Sequence, residues 1–381
     1  MMLTDFTKRI KIRYKITFIS TLIFGVLSQG MGLFNKYSFH DDVTHLFGVG
    51  ATYSSGRWML DILSQWEIAL FGDGHFSMPV MNGFSAITFI AVAACFMVAM
   101  LDIKSQVLCA FVGGIMVVFP VVTGIFGYMF TLPYYVLAML MGVMGAYCFC
   151  RMRTWRKAIG IVLMGVSVGI YQAFVPVTLC TLLFYVISEL EKGDDEPRQA
   201  AKKIVAAGLS AATFMVIYFG LNKILLTKNN VQLSSYQGIN RMGTESLSEY
   251  TARVIHAYRE FFAPTADTKY YMYQSNIRNV YTIVVLSGIA MALLAVAKAF
   301  KKSRADACML GGVLLLVPLA CNFIFVMASP SDVHALMVYG QVMPFILFAC
   351  LLDRLTFKTR KIERMIKGGL AIMLILLNIM Y

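Results

Sequence analysis

Apolar residues fall in long continuous runs separated by short polar stretches, from near residue 16 to the end of the chain. The runs do not alternate with period two, which argues against the strands of a membrane β-barrel. Each approaches the roughly 20 residues a helix needs to cross a hydrocarbon core of about 30 Å. Eleven spans are predicted, at 16–34, 79–101, 107–126, 134–149, 158–172, 174–188, 204–222, 280–297, 308–328, 335–352 and 368–381. The stretch 158–188 is too long for one simple crossing at about 1.5 Å per residue. It is therefore divided by a turn near Tyr171-Gln172-Ala173-Phe174-Val175-Pro176. The expected fold class is all-α: a polytopic integral membrane protein with about 11 transmembrane helices, forming a single domain over 1–381.

Composition agrees, since hydrophobic residues make up 59% of the 381 and charged residues only 14%, far too apolar for a soluble domain. The net charge of +13 is distributed in clusters: Lys8, Arg9, Lys11, Arg13 and Lys15 before the first span, then groups at 151–157, 192–203, 298–304 and 354–367. With the N-terminus inside, all of these clusters face the cytoplasm, as the positive-inside rule requires. The charge thus reflects topology and attraction to anionic membrane lipids, and needs no nucleic-acid partner. The first apolar run lacks a small-residue cleavage site and is read as an uncleaved span. No cysteine lies in a predicted outer loop, so no disulfide framework is implied.

This orientation puts two long loops outside, 35–78 and 223–279. In the first, the amphipathic segment Trp58–Glu67 carries two tryptophans and is expected to lie in the headgroup layer. In the second, Ser246 and Glu249 predict a capping box opening a helix, with Leu247, Val254, Tyr258 and Phe261 on one face and Pro264 at its end. Tyr270-Tyr271-Met272-Tyr273 reads as an interfacial anchor, with stacking on sugar rings as the alternative. No acid, base or histidine falls inside any predicted span. Chemistry is therefore expected at a membrane face. The adjacent carboxylates Asp41-Asp42, just past the first span, are the leading candidates for it, with Ser54-Ser55-Gly56-Arg57-Trp58 behind them.

Asp41-Asp42, Ser55-Gly56-Arg57-Trp58, Gly169-Ile170-Tyr171-Gln172-Ala173, Tyr236-Gln237-Gly238-Ile239 and Val333-His334-Ala335-Leu336-Met337-Val338-Tyr339 together resemble the GtrII-type glucosyltransferases, membrane enzymes of the GT-C class. The resemblance covers about residues 35 to 350, and the order and loop placement of the motifs carry it. It implies transfer of a glucosyl group from a polyprenyl-phosphate donor to a surface polysaccharide or O-antigen, outside the bacterial cytoplasmic membrane. A donor synthase and a flippase are implied as partners, because nothing cytoplasmic here resembles a nucleotide-sugar site.

A base for the acceptor hydroxyl and a cation for the departing phosphate are the minimum that such a transfer needs. Asp41 or Asp42 is the candidate base, with the other carboxylate positioning it; the sequence does not separate them. Arg57 is the candidate phosphate ligand, because a planar guanidinium fork matches phosphate, and Arg241 and Arg253 compete with it. Tyr171, Gln172, Tyr236 and His334 are candidate substrate contacts. No cofactor is expected. All five histidines, at 40, 45, 75, 256 and 334, lie on the predicted outer face, which leaves a divalent metal open, although the spacing of His40 and His45 does not suit a zinc pair on one helical face. Two other function classes remain: a transporter or flippase of lipid-linked saccharide, which usually carries ionisable groups inside the bundle, and a non-catalytic membrane assembly protein, which would tolerate loss of both Asp residues.

Overall fold

The computed structural model describes residues 10–35, 41, 52–72, 77–194, 196–264, 275–355 and 360–379. Regular structure among them is entirely helical. The first half contains α1 (Ile12–Phe34), α2 (Trp58–Phe71), α3 (Pro79–Leu101), α4 (Gln106–Val118), α5 (Val121–Phe126), α6 (Leu132–Arg151), α7 (Trp155–Ile170) and α8 (Val175–Lys192). The second half contains α9 (Pro197–Lys228), α10 (Leu247–Phe262), α11 (Ser275–Lys302), α12 (Arg304–Leu315), α13 (Val317–Cys321), α14 (Ile324–Met327), α15 (Met343–Arg354) and α16 (Arg360–Ile379).

Among the described residues, seven segments are long and apolar enough to cross a membrane: Ile12–Phe34, Pro79–Leu101, Leu132–Arg151, Gln172–Lys192, Pro197–Lys228, Asn276–Lys302 and Arg304–Cys321. Each coincides with one of the expected spans. The other expected spans are shorter, broken or charged. The run 107–126 is divided at Phe119-Pro120 into α4 and α5, since proline brings no N–H to continue the ladder. The run 335–352 becomes α-helical only from Met343, where Pro344 occupies the first turn. Before it, Ala335–Met337 and Tyr339–Val342 form 3-10 turns. Gly340 there lies so close to the Cys321 carbonyl that no side chain would fit. The motif Val333–Tyr339 therefore sits in a turn, where the sequence reading had it opening a helix. The run at 368–381 belongs to α16, whose first turns carry Lys361, Glu363, Arg364 and Lys367.

The break expected within 158–188 is present. Helix α7 ends at Ile170, Tyr171 is extended (φ −155°, ψ 111°), Gln172–Phe174 make one 3-10 turn, and α8 starts at Val175 with Pro176 in its first turn. A proline there costs no hydrogen bond, because the first N–H groups of a helix have no partner within it. Helix α8 is the most enclosed of the seven segments, packed by α6, α9, α12 and α13. Helices α6 and α7 pack closely through paired glycines. A Cβ on Gly145 would stand 2.6 Å from the Gly160 carbonyl oxygen. Small residues allow this approach in a bundle without a hydrophobic driving force between helices.

The capping box of α10 is formed as expected: the Glu249 amide donates to Ser246 Oγ at 3.3 Å, and the Ser246 amide to Glu249 Oε2 at 2.9 Å. The buried face shares only Phe261 with the expected one. It runs through Arg253, Ala257, Glu260 and Phe261, while Leu247 is 83% exposed. The reason is polar packing. Arg253 bonds the Val326 carbonyl, and the Ala257 carbonyl accepts from Asn322 Nδ2 at 3.0 Å, so α10 turns its polar side to α13 and α14. The tyrosine cluster 270–273 lies outside the described residues.

Candidate functional site

Where α7 gives way to α8, the extended Tyr171 and the 3-10 turn after it line a small cleft of about 40 Å³. Ser55 and Arg57 line it from the segment before α2, Ile239 and Met242 from the second long loop, Ile324 and Met327 from α14, and Ala328 and Met337 from the segment after it. Four stretches singled out in the sequence thus meet here although they are separated by up to hundreds of residues: Ser55–Trp58, Gly169–Ala173, Tyr236–Ile239 and Val333–Tyr339.

Main-chain hydrogen bonds fix the segment that carries Arg57. Gln172 Nε2 donates to the Ser55 carbonyl at 2.9 Å and to Tyr218 Oη at 3.0 Å, and Tyr218 Oη donates to the Gly56 carbonyl at 3.2 Å. Both side chains are buried, so these bonds form away from bulk water. Gly56 adopts φ +70°, and a Cβ there would stand 2.6 Å from Tyr218 Oη and 2.9 Å from Gln172 Nε2. Only glycine meets both demands. The Ser234 amide donates to the Ser54 carbonyl at 2.8 Å and joins the two long loops beside the cleft.

The guanidinium of Arg57 lies beside aromatic rings. Its central carbon is 5.0 Å from the Tyr171 ring centre and 5.5 Å from that of Tyr135, and Nη1 donates to Tyr135 Oη at 2.8 Å. The two rings stack at 4.0 Å, nearly parallel at 5°. Edge contacts continue the aromatic column inward from Tyr171 to Phe174 and from Phe174 to Tyr339. Two rings 4.0 Å apart cannot both lie face-on to one cation at these distances, so the guanidinium stands beside the edges of the stacked pair, where the bond to Tyr135 Oη fixes its position. Trp58 is also placed by packing. It is 4% exposed and lies against Gly169, whose missing side chain makes room for the indole. The expectation that Trp58 anchors in the headgroup layer is therefore corrected; of the pair, Trp66, 62% exposed, is the one at the surface.

Asp61, in the first turn of α2, accepts from Thr52 Oγ1 at 2.7 Å and from Gln65 Nε2 at 2.5 Å. Burial, reinforced by this carboxylate, raises the neighbouring Tyr53 phenol above its ordinary range.

Of the residues proposed from sequence, Arg57, Tyr171 and Gln172 line the cleft. Asp41 is helical and half-buried, whereas Asp42 lies outside the described residues. Tyr236 opens the 3-10 turn Tyr236–Arg241, with its side chain outside the described set. Arg241 and His334 are exposed and do not line the cleft. Arg253 is engaged by Glu245. Among the described residues no group of three or more His, Cys, Asp or Glu is placed to hold a metal; His40, His45 and His75 lie outside them. Sequence reasoning missed Tyr135 and Tyr218, which sit within apolar spans and carry no local motif, and it passed over Asp61 as part of an interfacial helix.

A family model described as Glucosyl transferase GtrII matches residues 30–345. No curated protein and no solved structure matches the chain.

Proposed function

Because the chain belongs to the Glucosyl transferase GtrII family, we propose that it moves a glucosyl group from a polyprenyl-phosphate donor to a cell-surface polysaccharide or O-antigen, at the outer face of the bacterial cytoplasmic membrane, as a GT-C-class enzyme. The observation that carries this reading is the convergence of Arg57, Tyr171, Gln172 and the second long loop on one cleft. A lipid-linked donor keeps its prenyl tail in the bilayer and its phosphate near the headgroups. Its site has to be built between helix ends and loops, as this one is. The full topology in this reading has eleven crossings with the N-terminus inside, so that the loops 35–78 and 223–279 reach the donor from outside.

In the transfer, an acceptor hydroxyl attacks the anomeric carbon, its proton passes to the carboxylate of Asp41 or Asp42, and the bond from that carbon to the phosphate oxygen breaks. Polyprenyl phosphate departs. A single displacement inverts the anomeric centre, so a β-linked donor gives an α-linked product. Arg57 meets the phosphate as negative charge accumulates on it, held by its bond to Tyr135 Oη so that little reorganisation is needed. Gln172 acts through the Ser55 carbonyl as a positioning residue. Tyr236 and His334 stand in the segments that border the sugar, and Arg241 is the alternative phosphate ligand. The cleft has room for no more than a few waters, so a hexose enters only when the wall carrying Ile239 and Met242 moves aside. The donor synthase and flippase supply the lipid-linked sugar.

Mass spectrometry of the surface polysaccharide from cells with and without this protein tests the reading. A hexose increment that depends on the protein is the expected result. Identical polysaccharide in both strains would remove the assignment.

A further inference from the structure

The C-terminal turns of α9 and the segment 230–233 form a second, open pocket of about 510 Å³. That lies within the range of roughly 300–1,000 Å³ typical of small-molecule sites. Asn222, Lys223, Asn230 and Gln232 give it polar lining, and Phe219 and Leu226 give it apolar lining. Asn222 is 5% exposed, and its Oδ1 has no hydrogen-bond partner. A buried amide oxygen left unsatisfied is destabilising, and folded proteins seldom keep one without a compensating use.

The position of this pocket connects it to the cleft. Asn222 stands one turn beyond Tyr218 on the same face of α9, about 6 Å along the helix axis. The Tyr218 hydroxyl bonds to the Gly56 carbonyl behind Arg57. The bond from the Ser234 amide to the Ser54 carbonyl ties the chain just after the pocket-lining segment to the chain just before Arg57. The pocket is thus joined to the cleft through Tyr218 and through the Ser234–Ser54 bond.

We propose that this pocket binds the acceptor, as a pyranose unit of a saccharide chain; the inference rests on the glucosyltransferase reading above. Sugar hydroxyls both donate and accept. Asn222, Asn230 and Gln232 bring side-chain amides, which donate and accept together, and Phe219 offers apolar surface to the C–H side of the ring. Five of the nine lining side chains, Thr227 among them, are polar, which suits a hydroxylated ring better than a bare prenyl chain. A phosphate is disfavoured by an amide oxygen that repels its own oxygens.

The test uses the full-length protein in detergent, titrated calorimetrically with oligosaccharides released by mild acid from the host's surface polysaccharide, and separately with a short-chain prenyl-phosphate glucose. Asn222→Leu should weaken oligosaccharide binding about tenfold, leave prenyl-phosphate glucose binding unchanged, and melt at the same temperature as the unaltered protein or higher, because it removes an unsatisfied buried oxygen. Asn222→Asp, which keeps an acceptor oxygen, should retain most of the affinity. Lys223→Ala, at an exposed position where folding is not at stake, should weaken oligosaccharide binding severalfold. Unchanged oligosaccharide affinity in Asn222→Leu and Lys223→Ala overturns the proposal, as does absence of oligosaccharide binding by the unaltered protein. Loss of donor affinity in their place assigns the pocket to the lipid-linked sugar and overturns it equally. Oligosaccharide binding that depends on Asn222 in a protein that transfers no glucose would uphold the pocket and remove the transferase reading.

Discussion

Gly56→Ala is the substitution whose consequence can be worked out most fully, because a second glycine serves as its control. Gly56 and Gly72 both have positive φ, +70° and +81°. A non-glycine residue in that region costs roughly 1–2 kcal/mol. At Gly72 a new Cβ meets nothing within 4 Å, so backbone strain is the whole cost. At Gly56 the Cβ would stand 2.6 Å from Tyr218 Oη and 2.9 Å from Gln172 Nε2, so both side chains have to retreat. Their retreat weakens the bonds to the Ser55 and Gly56 carbonyls, each contributing about 0.5–1.5 kcal/mol net. Gly56→Ala should therefore destabilise by about 2–4 kcal/mol and Gly72→Ala by about 1–2 kcal/mol. Catalysis should separate them further. Arg57 follows Gly56 directly, and a displacement of about 1 Å at a binding group can cost on the order of 10²-fold in rate. Thermal unfolding of the purified protein and the initial rate of glucosyl transfer from a prenyl-phosphate donor read the two effects. Tyr218→Phe removes the nearest clashing oxygen, so the double variant should be less damaged than the sum of the single ones, with a coupling of about 1 kcal/mol. Equal loss of stability and rate in Gly56→Ala and Gly72→Ala, or strict additivity with Tyr218→Phe, would refute the packing argument.

Asp41→Asn and Asp42→Asn keep size and remove basicity; one of them should lower transfer by about 10²–10⁴-fold at normal expression, and full activity of the double variant would eliminate a carboxylate base in this loop. Arg57→Lys loses the planar fork, one arm of which bonds Tyr135 Oη, while keeping the charge, so the donor KM should rise about tenfold with the acceptor KM unaltered; if Arg241→Ala has that effect and Arg57→Lys has none, the phosphate site belongs to the second long loop. Cysteines introduced at Ser38, Thr244 and Gln199 should react with a membrane-impermeant thiol reagent in the pattern accessible, accessible, protected, and the opposite pattern would turn the site toward the cytoplasm.

What the sequence made legible was local. The Pro79–Leu101 helix has its expected bounds because proline opens it and a continuous apolar run follows. The turn at Tyr171 and the capping box at Ser246 could be read because a proline and a Ser/Glu pair signal chain breaks and helix starts within a few residues. Averaging over an apolar run hid other breaks. Pro120 divides 107–126 as Pro176 divides 158–188, yet it lay inside a run of the length expected for one span. The site was legible as a set of segments but not as a set of contacts. Tyr135 and Tyr218 reach Arg57 and Gly56 across 78 and 162 residues, and no periodicity carries information over that distance. Leu247 misled for a related reason: apolarity suggested a buried face, whereas the bonds of Arg253 to the Val326 carbonyl and of Asn322 to the Ala257 carbonyl turn the other side of α10 to the bundle.

The depth of Arg57 depends on that same distinction. An interfacial arginine held by a lipid-anchored tryptophan would follow the headgroups as the bilayer thins or thickens. Trp58, however, is enclosed against Gly169 of α7, and the guanidinium lies beside Tyr171 at the end of that helix and beside Tyr135 of α6. Helices α6 and α7 are themselves locked together at Gly145 and Gly160. The charge is thus referenced to the helix bundle, and lipid contacts have little part in placing it. Under the proposed reaction, in which Arg57 meets the donor phosphate, that is the useful arrangement. Side chains packed in a rigid bundle keep a separation to within tenths of an ångström, whereas headgroup contacts do not. The sequence Gly56-Arg57-Trp58 carries this logic in three consecutive positions: a glycine that lets Tyr218 and Gln172 grip the main chain, a cation beside the aromatic column, and an indole that fills the space left by Gly169.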